Sequence, residues 1–221
     1  MTDGIVLIDK PAGMTSFGVV ARVRRVLTEK NGHKTKVGHT GTLDPFATGL
    51  MILTVGKECK NAMHYTKLDK TYQATIKLGD SSTTGDPEGE ITSVSVKVPS
   101  LKEIERTLVQ FTGEITQTPP IYSAIKIGGR RAYDLARKGE DIVMPTRQVR
   151  IYSLELINYN YPYVEIQAHV SSGSYIRTLA EDIGKALKTG AYCHELRRIS
   201  IDRWSLKEAI PLADFMENPI V

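Results

Sequence analysis

Asp44 stands in the most unusual stretch of the sequence, Gly38-His39-Thr40-Gly41-Thr42-Leu43-Asp44-Pro45-Phe46-Ala47-Thr48-Gly49-Leu50. The proline after it pushes the aspartate towards extended backbone, and glycines on both sides let the main chain come close to a ligand. A carboxylate presented in this way can attack as a nucleophile or take a proton. Asp-Pro pairs also start ordinary turns, so the local pattern leaves both uses open. Two other stretches carry candidate groups: Asp69-Lys70-Thr71-Tyr72 at a strand start, and Ser172-Gly173-Ser174-Tyr175-Ile176-Arg177-Thr178-Leu179 at a helix start. Tyr72 can equally be a strand tyrosine packed in the core, and Arg177 an exposed i,i+4 partner of Glu181.

Other chemistries find little support. There is no C-x-x-C, H-E-x-x-H or EF-hand spacing, and the five histidines are scattered, so no metal site is expected. No G-x-S-x-G elbow or G-x-G-x-x-G turn occurs, and Glu58 stands where a phosphate loop after Gly49 would need a hydroxyl. Cys59, in a lysine-rich helix, reads as a packing residue. What remains is acid-base or nucleophilic work by carboxylates, or binding alone.

The elements that must position these groups are legible in the periodicity. Gly4 to Ile8 is a short apolar strand stopped by Asp9-Lys10-Pro11-Ala12-Gly13. A helix capped by Ser16 follows, with Val19, Val20, Val23, Val26 and Leu27 at helical spacing. The glycine-rich loop leads into the strand Leu50 to Val55, then a helix over Lys57 to Tyr65 and a strand over Lys70 to Leu78 whose Tyr72, Ala74, Ile76 and Leu78 share one face. Ser81 to Gly89 is a polar loop. A helix over Leu101 to Leu108, a strand over Gly113 to Thr118, a hairpin about Gly128-Gly129, strands over Val149 to Leu156 and Val164 to Val170, a helix over Ser174 to Leu187 and a strand near Leu196 to Ile201 complete the series. Strands in runs with few helices between them predict an α+β fold on a mixed, largely antiparallel sheet.

With 221 residues and 41% apolar content, the chain can bury a core without disulfides or metal. Two cysteines exclude a disulfide framework and favour a reducing cytoplasm. No apolar run approaches the roughly 20 residues of a membrane helix, and the N-terminus lacks the basic start of a signal peptide. The formal charge of +4 is too small to identify a nucleic-acid binder, but its distribution is uneven. Arg22 to Lys36 holds six basic residues and one acidic, residues 126–150 seven and three, and residues 80–114 three and seven. Basic segments balanced by an acidic one are either solvated faces or phosphate-facing patches.

Taken together, the blocks resemble the TruB family of tRNA pseudouridine synthases, which isomerise the T-loop uridine of transfer RNA. The resemblance runs in order through Leu7-Ile8-Asp9-Lys10-Pro11-Ala12-Gly13-Met14-Thr15-Ser16, the Asp44 loop, the Tyr72 strand, Thr118-Pro119-Pro120-Ile121-Tyr122-Ser123-Ala124, the Arg177 helix and Leu196-Arg197-Arg198. It implies the pseudouridine-synthase fold, one catalytic domain over residues 1–221, no cofactor, and the T-arm stem-loop of tRNA as partner of a cytoplasmic monomer. By the same resemblance Asp44 is the catalytic carboxylate at uridine position 55, and Arg177 its cationic partner. An aspartate has an ordinary pKa near 3.9; burial would raise it, and a guanidinium beside it would oppose that.

Tyr72 takes the place of the tyrosine that stacks on uracil and is a candidate for moving the C5 proton. Tyr175 and Leu196 match pocket-lining positions, and His39 a residue beside the extruded base. Lys10 and Pro11 match a motif that supports the active-site loop. The basic segment around 124–150 resembles an insertion that closes over the T arm. The chain stops about seventeen residues after Trp204, so the C-terminal RNA-binding domain of many relatives is expected to be absent or vestigial. Two alternatives of other classes are a non-catalytic tRNA folding chaperone that binds the T arm, and a nucleoside glycosidase that stops at cleavage.

Overall fold

Residues 3–219 are described here, in a computed structural model. The chain forms two compact units, residues 1–72 with 197–221, and residues 73–196. The first unit begins with β1 (Gly4–Lys10) and α1 (Ser16–Asn31). The cap of α1 is Thr15 and not the expected Ser16: the Thr15 hydroxyl accepts from Gly18 N–H at 3.0 Å, which leaves Ser16 free for a tertiary contact. Gly32, in the left-handed region at φ 69°, ends the helix. Val19, Val20, Val23, Val26 and Leu27 are buried, as their spacing predicts. Next come β2 (Val37–His39) and β3 (Thr48–Val55). The helix expected over Lys57 to Tyr65 is a 3-10 turn, Gly56–Asn61, followed by α2 (Ala62–Thr66). The strand β4 (Lys70–Leu78) then leads the chain out of this unit.

The second unit adds the hairpin of β5 (Asp80–Ser82) and β6 (Ile91–Ser93), which the sequence reads only as loop. Helix α3 (Leu101–Gln110) starts with a capping box between Ser100 and Glu103. These hydrogen bonds and Lys97 hold the exposed Glu103 carboxyl down at about 2. Strand β7 (Gly113–Gln117) is followed by the small hairpin β8 (Lys126–Ile127) and β9 (Arg130–Arg131), then α4 (Ala132–Ala136). The long β10 (Arg147–Asn160) and β11 (Tyr163–Val170) pair antiparallel, and β10 pairs antiparallel with β7. Helix α5 (Ile176–Leu187) buries Leu179, Ala180, Ile183 and Leu187, and packs against α3. Within this unit the strand order is β12-β4-β11-β10-β7, where β12 (Ala191–Ile201) begins five residues earlier than its sequence signal.

Strand β12 returns the chain to the first unit. There the order is β14-β1-β3-β12, with β13 (Trp204–Ser205) on β12 and β14 (Ile210–Pro211) on β1. The pairings of β1 with β14 and of β12 with β3 are parallel, that of β1 with β3 antiparallel. A last helix, α6 (Leu212–Glu217), packs on α1. Leu50, Ile52 and Ile201 form a buried cluster with Leu7, Tyr65 and Trp204 against it. The architecture is α+β on mixed, mostly antiparallel pairing. Among the described residues no helix is long and apolar enough to cross a membrane.

Candidate active site

In the first unit, Asp44 lies half-buried in the connection from β2 to β3. Its neighbours in the chain are pinned from several directions. Leu43 N–H donates to Ser16 Oγ at 2.8 Å, and Ser16 Oγ donates to Leu43 O at 2.9 Å. Lys10, fully buried, donates from Nζ to Met14 O at 2.7 Å, Pro11 O at 2.9 Å and Pro45 O at 3.2 Å. Gly13 N–H also donates to Pro45 O, at 2.8 Å. The turn at Asp-Pro itself closes with Ala47 N–H on Asp44 O at 3.2 Å. Residues 43 and 45 are thereby held on both sides of the carboxylate. Buried hydroxyl and ammonium groups satisfy carbonyls that a loop would otherwise leave to water.

The other residues of interest in this unit sit on strands. His39 ends β2 opposite Leu53 and is half-buried. Tyr72 is the third residue of β4 and 9% exposed. Two residues before it, Lys70 is buried and donates to Thr66 O at 2.7 Å and to Leu68 O. Burial, with the Arg198 charge adding to it and Asp69 opposing, lowers the Lys70 pKa to about 8. Arg197 is conventionally compensated, donating to both carboxylate oxygens of Asp9 at 2.7 and 3.2 Å.

In the second unit, Arg177 stands on the first turn of α5 and is only 3% exposed. The exposed i,i+4 alternative is excluded by that burial. Its Nη1 donates to Thr84 O at 2.8 Å and to Asp86 Oδ2 at 3.0 Å, and Nη2 donates to Tyr122 O at 2.8 Å. Asp86 is as buried as Arg177, and its Oδ1 accepts from Thr84 Oγ1 at 2.6 Å and Glu88 N–H at 3.0 Å. One guanidinium thus ties two loops to the start of α5. Between Thr84 and Asp86, Gly85 stands at φ 73°, a left-handed conformation that favours glycine, and an added Cβ would lie 2.4 Å from Glu181 Oε1.

Tyr175 is the residue before α5, and its main chain is clamped by the buried Gln117 amide. Tyr175 N–H donates to Gln117 Oε1 at 3.0 Å, and Gln117 Nε2 donates to Tyr175 O at 3.2 Å. The Arg147 guanidinium lies 5.5 Å from the Tyr175 ring centre. Leu196, on β12, is 8% exposed. A cavity of about 550 Å³ in this unit is lined by Thr84, Thr118, Tyr122, Met144, Thr178 and Glu181 among others. Burial raises the Glu181 pKa.

Asp86 and Gln117 were not visible as site residues in the sequence. Asp86 carries the same signal as Asp44, an aspartate before proline with glycines near, in Gly85-Asp86-Pro87-Glu88-Gly89. Among the described residues there is no group of three His, Cys, Asp or Glu side chains able to hold a metal.

Comparison with known proteins gives this geometry a family. The model of the TruB family pseudouridylate synthases, N-terminal domain, matches residues 24–176. The tRNA pseudouridine synthase B of Aquifex aeolicus is 44% identical over 98% of this chain and 75% of its own length. That of Clostridium acetobutylicum is 41% identical over 99% and 74%. A crystal structure of a Cbf5-Nop10-Gar1 complex superposes with TM-score 0.76 at 28% identity, covering 98% of this chain and 54% of that one. An H/ACA RNP bound to a substrate RNA containing 2′-deoxyuridine gives TM-score 0.71 at 27% identity, over 97% and 52%. The chain therefore spans about three quarters of the first two relatives and about half of the solved chains. On the match of the family model and of relatives over nearly its whole length, the chain belongs to the TruB family of pseudouridylate synthases, which are isomerases.

Proposed function

We propose that this protein converts the T-loop uridine at position 55 of tRNA to pseudouridine, with Asp44 as the reacting carboxylate. The observation that carries the reading is the Asp44 loop, where buried Lys10 and Ser16 bond the main chain on each side of the aspartate. Such anchoring is what a carboxylate needs if it is to meet one atom of a substrate repeatedly in the same geometry. The reaction breaks the C1′–N1 bond, turns the uracil in place and joins C1′ to C5, after which the C5 proton leaves and N1 ends protonated, so that the product is an isomer of the substrate. Asp44 either attacks C1′ or removes a sugar proton to give a glycal. Arg177 supplies the counter-charge that favours the ionised carboxylate.

A uridine reached in this way has left its stack, which costs a few kcal/mol. Stacking on Tyr72 offsets this by about 1–3 kcal/mol, and Tyr72 is also the candidate carrier of the C5 proton. Tyr175 and Leu196 line the uracil pocket, and His39 meets the RNA beside it. The exposed cations of residues 124–150 contact phosphates of the T arm, which contributes affinity without sequence choice. No cofactor is required.

The test is a tRNA transcript tritiated at uracil C5. Tritium release with the base retained in the RNA is the expected result. Free uracil would make the protein a glycosidase, and binding with neither product would make it a tRNA chaperone; either outcome overturns the proposal.

A further inference from the structure

We infer that Arg198 is a positioning residue for the Asp44 loop, closing both ends of that loop with one guanidinium. Strand β12 runs parallel to β3 where the loop returns, with Arg198 opposite Gly49. The two backbones are so close that a Cβ on Gly49, at φ 106°, would lie 2.3 Å from Arg198 O. From there the Arg198 side chain, 1% exposed, donates from Nε to Leu50 O at 2.7 Å and from Nη2 to Gly41 O at 3.2 Å. Gly41 and Leu50 flank the segment that holds Asp44.

Two features separate this arginine from a packing residue. Its bonds go to carbonyls at opposite ends of one loop, which a planar fork with fixed donor directions can satisfy and a point charge cannot. It also has no carboxylate partner among the described residues, whereas its neighbour Arg197 is paired with Asp9. A desolvated cation with only dipoles for partners is costly to keep. Its field also reaches Lys70, whose pKa it helps to lower.

The inference rests on the reading of Asp44 as the reacting carboxylate, so Asp44→Asn is assayed beside the Arg198 variants. Arg198→Lys and Arg198→Gln are compared with wild type on a tRNA transcript, with rates expressed per folded enzyme after calibration by circular dichroism and melting. The expected result is a kcat lower by about ten- to hundredfold, with KM and Kd for tRNA within about threefold. The lysine variant, which keeps the charge, should lose rate as the glutamine variant does. Full activity in Asp44→Asn would remove the underlying reading itself. An inert Asp44→Asn beside wild-type kcat in both Arg198 variants would overturn only the role of Arg198. A rise confined to KM, a loss that vanishes on correction for folded enzyme, or failure of both variants to fold would also overturn it, leaving a structural arginine.

Discussion

Residues 38–50 and residues 124–146 are both poor in regular structure and both border on cations, yet the cations face opposite ways. Around the first loop, Lys10 and Arg198 are buried and spend their N–H groups on loop carbonyls. Along the second, Lys126, Arg130, Arg131, Arg137 and Lys138 point to solvent. There the inward anchors are apolar, Ala132, Leu135 and Met144. The ion pair of Arg130 with Glu140 at 2.6 Å leaves both side chains nearly half exposed. Buried donors restrict a main chain to one arrangement, which suits a reacting group. Exposed cations stay available to any phosphate and lose strength in salt. Under the proposed function, chemistry falls to the first loop and RNA contact to the second.

The largest expected effect that would sharpen this contrast comes from Arg177, which joins buried anchoring to the proposed counter-charge. Arg177→Ala strands Asp86 without its partner, and we expect about 3 kcal/mol of lost stability by urea unfolding together with at least a hundredfold loss of turnover. Arg177→Lys keeps a charge but cannot reach Thr84 O, Asp86 and Tyr122 O together, so it should recover only part of either loss. Wild-type stability in the alanine variant would contradict the buried pair.

A smaller effect is expected in the second loop. Replacing Arg130, Arg131 and Arg137 with alanine should weaken tRNA binding, reduce the slope of log Kd against log salt by up to about three, and leave the rate at saturating tRNA unchanged. A fall in that saturated rate would break the division between the two loops.

The smallest effect concerns Lys70. Its folded pKa of about 8 lies below the 10.5 of an unfolded lysine, so between those values the folded protein binds fewer protons. Stability should therefore rise with pH across that window, and Lys70→Met should remove this part of the rise in melting temperature. Parallel curves for the two proteins would show that Lys70 is not desolvated in solution.

How much of this is legible in sequence depends on whether the cause is local. The alternation of Tyr72, Ala74, Ile76 and Leu78 marks β4 to the residue, and the valines of α1 mark its buried face. The short α4 and the β5–β6 hairpin escape because five-residue and three-residue elements carry too little periodicity. Thr15 and Ser16 are equally good caps by local rules, and only the approach of Leu43 decides between them. Asp44-Pro45 and Asp86-Pro87 share one local signature. Nothing near Asp86 announces that Arg177, 91 positions away, will come to it. The anchors of the Asp44 loop are hidden for the same reason, since Arg198 reaches Gly41 across 157 positions.

The central claim is that the Asp44 carboxylate does the chemistry and is not merely part of a binding surface. Single-turnover tritium release by Asp44→Asn, with tRNA affinity measured on the same preparation, tests it most directly. The account predicts no release above the enzyme-free control while Kd stays within about tenfold of wild type, because a neutral isostere preserves the loop. Release at the wild-type rate would contradict it.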